Sequence, residues 1–195
     1  MTEITKDDII TLPNAHLRQR SQKVSFVTPD IMQLIEDMQT ATIDWENSRE
    51  HEVGVALAAI QIDRPLRVVV IRNNFDDKDD HTFTVFINPV ITKYEGDLQT
   101  DYEGCLSVKN VYGMVPRYSK VRVKAMGVNG KEFRVTAEGF LARIFQHEID
   151  HTNGIVFIDH IRDDPKAFFR LVDKGDLQPV DYENEIAGSA ELWED

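Results

Sequence analysis

Apolar side chains recur at Ile31, Leu34, Ile35 and Met38, the i, i+3, i+4, i+7 spacing of one helix face. Thr28 stands at the cap and Pro29 suits the first turn, so a helix is predicted to begin there. It fades into the polar run WENSREHE (45–52), read as a loop. The period then shortens to two. Val121, Val123 and Ala125 alternate with Arg122, Lys124 and Met126, as in a half-buried strand. Further strands are predicted at 66–71, 83–87, 90–94 and 98–102. Asn129-Gly130 signals a hairpin turn, with Phe133 and Val135 on the return strand. DDKDD (76–80) reads as a solvated loop. Helical spacing returns over 138–152 and stops at Asn153-Gly154. A third helix is predicted from Asp164 to about Val172, with Pro165 at its start. Helix, antiparallel strands, then helix predicts an α+β fold, the strands gathered around a central helix at 138–152 and a further helix C-terminal to it.

The 195 residues suit one domain, placed at 1–175. The run DYENEIAGSAELWED carries six acids and no Lys or Arg, so 176–195 is expected to be an acidic, flexible tail. A net charge of -12 disfavours sequence-independent attraction to nucleic acid or anionic lipid. No apolar run reaches the ~18–20 residues needed to cross a bilayer, and the N-terminus lacks a signal-peptide pattern. The chain is therefore expected to be cytoplasmic. A single cysteine rules out an intramolecular disulfide.

Two histidines, His147 and His151, bracket Glu148 in HEIDH (147–151). On a helix they share a face and can grip one ion, with the carboxylate between them beside any bound water. Phe140, Leu141 and Ile144 precede them on that stripe. Ionisable groups so placed are costly unless paired or bound. The bland alternative is a set of ordinary helix residues. A catalytic ion of this kind wants a third ligand and an open position. Cys105, in EGCLS (103–107), is the best candidate, since a thiolate suits zinc or ferrous iron. A buried structural cysteine and a nucleophile remain alternatives. GVALAAIQ (54–61) combines small residues with a polar amide, which lets another backbone come close. A tightly packed segment is the plainer reading of it.

Taken together and in this order, GVALAAIQ, EGCLS and HEIDH resemble the motifs of peptide deformylase. LRQRSQKV (17–24), QID (61–63), VPR (115–117) and VNGKEF (128–133) are also similar to that family, so the resemblance spans most of 5–170. It implies removal of the N-formyl group from the initiator methionine of nascent polypeptides, with release of formate. It implies one divalent metal ion held by Cys105, His147 and His151, Fe2+ as the native ion with Zn2+, Ni2+ or Co2+ as alternatives. It implies that Glu148 moves the proton and that the Gln61 amide and the Leu106 backbone N–H face the oxyanion. The substrate would lie along Gly54, Val55 and Ala56, with Val55 offering its N–H and C=O, and the methionine side chain would meet Ile144 and Tyr112.

There are departures. Ala56 stands where the family usually has Gly, Lys109 replaces a common Pro, and Tyr112 a common Arg. Residues 43–52 look inserted. Some bacterial members reach the ribosome through a basic C-terminal helix, so the acidic tail here implies at most weak ribosome contact. Asp150 or Glu103 is expected to pair with Arg117 and brace the site. His16, His51, His81 and His160 are placed at the surface. Two other functions compete: a metallopeptidase or other amidase sharing H-E-x-x-H, and a deformylase-like protein with altered substrate or lost activity that binds N-terminal peptides.

Overall fold

The computed structural model describes residues 4–172 and 175–193. Helix α1 (Pro29–Asn47) opens on the Thr28 cap, whose side chain accepts from the Ile31 N–H. It outruns the sequence expectation by several residues because its buried stripe continues through Ala41, Thr42 and Glu46. Glu46 is buried against the Arg72 guanidinium and accepts the Gly54 N–H at 2.9 Å. The remaining Arg72 nitrogens donate to Lys78 O and Asp80 O at 2.8 Å. The acidic loop 76–80 thus caps a buried arginine with its carbonyls.

Strands β1 (Ala56–Ala58), β2 (Val68–Arg72), β3 (Phe83–Cys105), β4 (Val108–Met126), β5 (Glu132–Glu138), β6 (Phe168–Leu171) and β7 (Leu177–Pro179) form one sheet whose pairs are all antiparallel. Its order is β1-β2-β3-β4-β6-β7, and β5 pairs the same edge of β4 further along. The three strands predicted over 83–102 are one long strand. Its register against β4 shifts between Ile87 and Val90, Ile91 and Lys93, and Glu95 and Leu98. These interruptions bend the ribbon without ending it.

Helix α2 (Gly139–Thr152) covers one face of the sheet, packing Ala142, Ile144, Phe145 and Ile149 against Ala56, Ala58, Val69 and Ile71. Leu57, Val68 and Val70, on alternate positions of the same strands, face α1. Each fully buried Phe or Ile contributes about 1.5–3 kcal/mol. Packing therefore fixes α2, which has no side-chain N-cap. At its C-terminal end Gly154 takes φ +79, and a Cβ there would lie 2.2 Å from Arg18 O.

Two expectations fail. Residues 164–172 do not form a helix: Phe168–Leu171 is strand β6, paired with β4 at Tyr112 and Gly113. The open edge of β4 supplies a ladder, and the buried Phe168 anchors it. The acidic C-terminal segment is also packed. Beyond β7 come a helical turn at Tyr182–Ile186 and helix α3 (Ala190–Trp193). Ile186 and Leu192 are buried in a core with Phe157, Ile161 and Phe168, and Trp193 Nε1 donates to Ile186 O at 2.6 Å. The few apolar residues in an acidic run suffice to dock it. Among the described residues no helix is long and apolar enough to cross a membrane.

Candidate metal centre

The long ribbon of β3 and β4 turns over Leu106-Ser107, so that Cys105 pairs with Val108 at its tip. The Ser107 N–H points at the Cys105 Sγ from 3.4 Å. Gly104 lies just before. A Cβ on it would sit 2.5 Å from the Tyr112 ring, so close packing is what requires glycine there. Helix α2 approaches this turn with His147 and His151 one turn apart. Cys105 Sγ lies 3.2 Å from His151 Nε2, and one donor atom from each of Cys105, His147 and His151 falls within 4.8 Å of the other two.

Ring orientation is set from behind. His147 Nδ1 is 3.0 Å from Glu103 Oε2. That carboxylate fixes the Nδ1–H tautomer and leaves the Nε2 lone pair for an ion. Arg117 grips Glu103 with two nitrogens, Nε to Oε1 at 2.9 Å and Nη2 to Oε2 at 3.1 Å. Its third, Nη1, donates to Asp150 Oδ2 at 2.6 Å. Both expected partners of Arg117 are thus present at once. Arg143, which the sequence reading missed, adds a donor to Glu103 Oε1 at 2.8 Å and donates to Val115 O and Gln99 O. It lies one turn before His147 on α2, the one signal that pointed to it.

Electrostatics follow from this arrangement. Burial opposes ionisation of Glu103, but hydrogen bonds from His147 and Arg117 outweigh it and hold its carboxyl well below the usual range. Burial also opposes a charge on His147, yet Cys105 and Glu103 together draw its pKa well above normal. His151 is pushed well down by burial and by the neighbouring His147 charge, which suits a neutral ligand. Burial raises Glu148 to about 7. Among the described residues its Oε2 and His151 Nδ1 have no hydrogen-bond partner.

Gln61 is buried behind the cysteine. Its Oε1 accepts the Ala58 N–H at 2.9 Å, which turns Nε2 toward Ser107 Oγ at 3.1 Å and Cys105 Sγ at 3.6 Å. A cavity of about 580 Å³ opens in front of these groups, and Val55, Ala56, Leu106, Tyr112, Ile144 and Glu148 line it. Gly54 is not on its wall: a Cβ there would meet Thr42 at 2.8 Å, so this glycine serves packing against α1. The Val55 carbonyl is engaged as well, accepting from the Arg72 N–H at 2.8 Å. Alternation along an antiparallel ladder then turns the backbone of Ala56 toward the open edge of β1. Ala56 has no positive φ, so its methyl imposes no backbone strain. The segment 43–52 also forms wall. Trp45, Arg49 and Glu52 line the cavity, and the Tyr112 hydroxyl donates to Glu52.

Known proteins similar to this chain point to one family. Residues 6–167 match the family model described as polypeptide deformylase. The peptide deformylase of Agrobacterium fabrum is 40% identical over 158 residues, covering 81% of this chain and 88% of the relative. That of Psychrobacter arcticus is 36% identical over 189 residues, covering 93% and 97%. Among solved structures, the peptide deformylase of Legionella pneumophila superposes with a TM-score of 0.70 at 39% identity, covering 80% of this chain and 85% of that one. An Acinetobacter baumannii peptide deformylase with Met-Ala-Ser bound gives 0.71 at 30% identity, covering 83% and 100%. The matched stretch contains the cysteine turn, the helix with both histidines and the bracing arginines, and the chain belongs to the peptide deformylase family.

Proposed function

We propose that this chain hydrolyses the N-formyl group of formyl-methionyl nascent polypeptides, releasing formate and a free α-amine, with a divalent metal ion held by Cys105, His147 and His151. The observation that carries the reading is the buried Glu148 carboxyl, unpartnered among the described residues and lining the cavity beside three convergent donor atoms. The donor set fits a metal: one sulfur and two imidazole nitrogens suit ferrous iron or zinc. Fe2+ is proposed as the native ion, with Zn2+, Ni2+ and Co2+ as substitutes. When bound, such an ion polarises the formyl carbonyl and lowers the pKa of water toward neutrality.

The chain's own residues do the rest. Glu148, raised to about 7, takes the proton of the attacking water and returns it to the departing amine. Gln61 Nε2, aimed toward the cysteine by the Ala58 N–H, donates to the oxyanion together with the Leu106 N–H. One such donor is commonly worth about 10²–10³ in rate. The substrate backbone adds to the open edge of β1 at Ala56. The methionine side chain enters the cavity between Ile144 and Tyr112. The enzyme acts in the cytoplasm, off the membrane, and the acidic C-terminal segment makes ribosome contact by that route weak.

The test is formate release from a formyl-Met peptide by metal-loaded protein, run beside acetylated and unblocked peptides. Release from the formylated peptide alone supports the reading. Cleavage of acetylated or unblocked peptides instead would replace it with an amidase or peptidase. A binder without catalysis would release nothing. Ala56, which stands where the family usually has Gly, sits in unstrained strand backbone and lends that alternative no support.

A further inference from the structure

The bracing of the proposed ligand His147 does not end at Asp150. His160, at the end of the short helical turn Phe157–His160, places Nε2 2.7 Å from Asp150 Oδ2 and 3.2 Å from Arg117 Nη1. The shorter contact assigns the hydrogen. A carboxylate at 2.7 Å requires an N–H facing it, so Nε2–H donates to Asp150. The same Oδ2 accepts from Arg117 Nη1 at 2.6 Å. A continuous line therefore runs from His160 through Asp150, Arg117 and Glu103 to His147.

We infer that His160 is a positioning residue for the metal centre, holding His147 through Asp150, Arg117 and Glu103. The inference rests on the proposed assignment of Cys105, His147 and His151 as ligands. The guanidinium is planar, so fixing Nη1 fixes the plane in which Nε and Nη2 meet the two Glu103 oxygens. Exposure along the line shows where it is weakest. The Arg117 and Glu103 side chains are buried, that of Asp150 is 18% exposed and that of His160 35%. Asp150 is where water can compete for the carboxylate and let it swing off Arg117. His160 occupies that position, and its donor keeps Oδ2 on the guanidinium.

The experiment compares His160→Gln with His160→Asn in full-length, nickel-loaded protein. The Gln amide nitrogen can reach the position of Nε2, whereas the Asn amide is one methylene short. Both are polar at a partly exposed site, so both are expected to fold, which a melting curve verifies. The readouts are the rate of nickel release to a colorimetric chelator and the separate kcat and KM for a formyl-Met peptide. A residue bonded directly to a ligand is typically worth 10–100-fold in metal affinity, and one three links further out should be worth less, about 3–10-fold. His160→Asn is expected to speed release by about 3–10-fold with KM unchanged, and His160→Gln to stay within about twofold of the unsubstituted chain. Release from His160→Asn at the unsubstituted rate overturns the inference. So does release from His160→Gln as fast as from His160→Asn, because the donor would then not matter. Unsubstituted protein that takes up no nickel, or that keeps it after Cys105→Ala, overturns the ligand assignment itself.

Discussion

Replacing Arg117 with Met removes the guanidinium behind the metal centre while leaving a side chain of similar length in its place. Three hydrogen bonds disappear: Nε and Nη2 to Glu103, at 2.9 and 3.1 Å, and Nη1 to Asp150 at 2.6 Å. What survives sets the size of the effect. Removing one partner of a buried ion pair costs about 3–5 kcal/mol when the other charge is stranded. Here Glu103 keeps Arg143 at 2.8 Å and His147 at 3.0 Å, and Asp150 keeps His160 at 2.7 Å. The loss therefore belongs at the lower end, about 3 kcal/mol. For a chain of this length each kcal/mol moves the melting temperature by about 2–4 °C, so a fall of about 6–12 °C is expected. Metal binding should weaken by about 10-fold, the low end for a group bonded directly to a ligand, because the carboxylate that orients His147 is no longer held by its fork. Arg117→Lys keeps the charge without the fork, so it should recover part of the stability and little of the affinity. Thermal melting of nickel-loaded protein and competition against a chelator give both numbers. An Arg117→Met chain that melts within about 2 °C of the parent and binds metal equally well would refute the bracing argument.

Arg72→Met strands Glu46 under α1 with only the Gly54 N–H, and should cost about 3–5 kcal/mol in a melt. Adding Glu46→Leu should recover most of it, and no recovery would deny that the stranded charge is the cause. Gly104→Ala puts a methyl 2.5 Å from the Tyr112 ring and should cost about 1–3 kcal/mol. An unchanged melting temperature would mean that the ring has room to move. Ala56→Gly removes a single methyl from the cavity wall. It should raise kcat/KM by no more than about fourfold, the equivalent of one CH2 at about 0.8 kcal/mol. A tenfold gain would show that the methyl blocks substrate.

The sequence disclosed most where one residue type must recur at a fixed step. HEIDH sits on a helix because apolar residues keep the helical period into it, and the structure brings Cys105 to it through a turn only two residues long. Half of the brace was also legible, since Glu103 and Asp150 are acids near the motifs and Arg117 lies in VPR. Other features depend on partners distant in the chain. The last turn of α1 looked like a polar loop because its buried residue is Glu46, whose partner Arg72 is on β2. Residues 164–172 have helix-start chemistry, yet the unpaired edge of β4 captures Phe168–Leu171. The strand breaks expected near Asn88 and Gly96 are irregularities that the β4 ladder spans. The C-terminal segment has the composition of a free tail, and composition averages away the two or three apolar side chains that dock it. The Val55 carbonyl looked available because sequence does not show which edge of a strand its neighbour takes.

Glu148 is proposed to move the proton at a metal site built from Cys105, His147 and His151. The most direct test loads the parent chain and Glu148→Ala with ferrous iron under exclusion of oxygen, measures bound metal in each, and follows formate release from a formyl-Met peptide. About one ion per chain is expected in both proteins, with release by the parent and a loss of at least about 10²-fold in the variant, the scale of a positioned acid–base group. Equal release by parent and variant at equal metal content would contradict it.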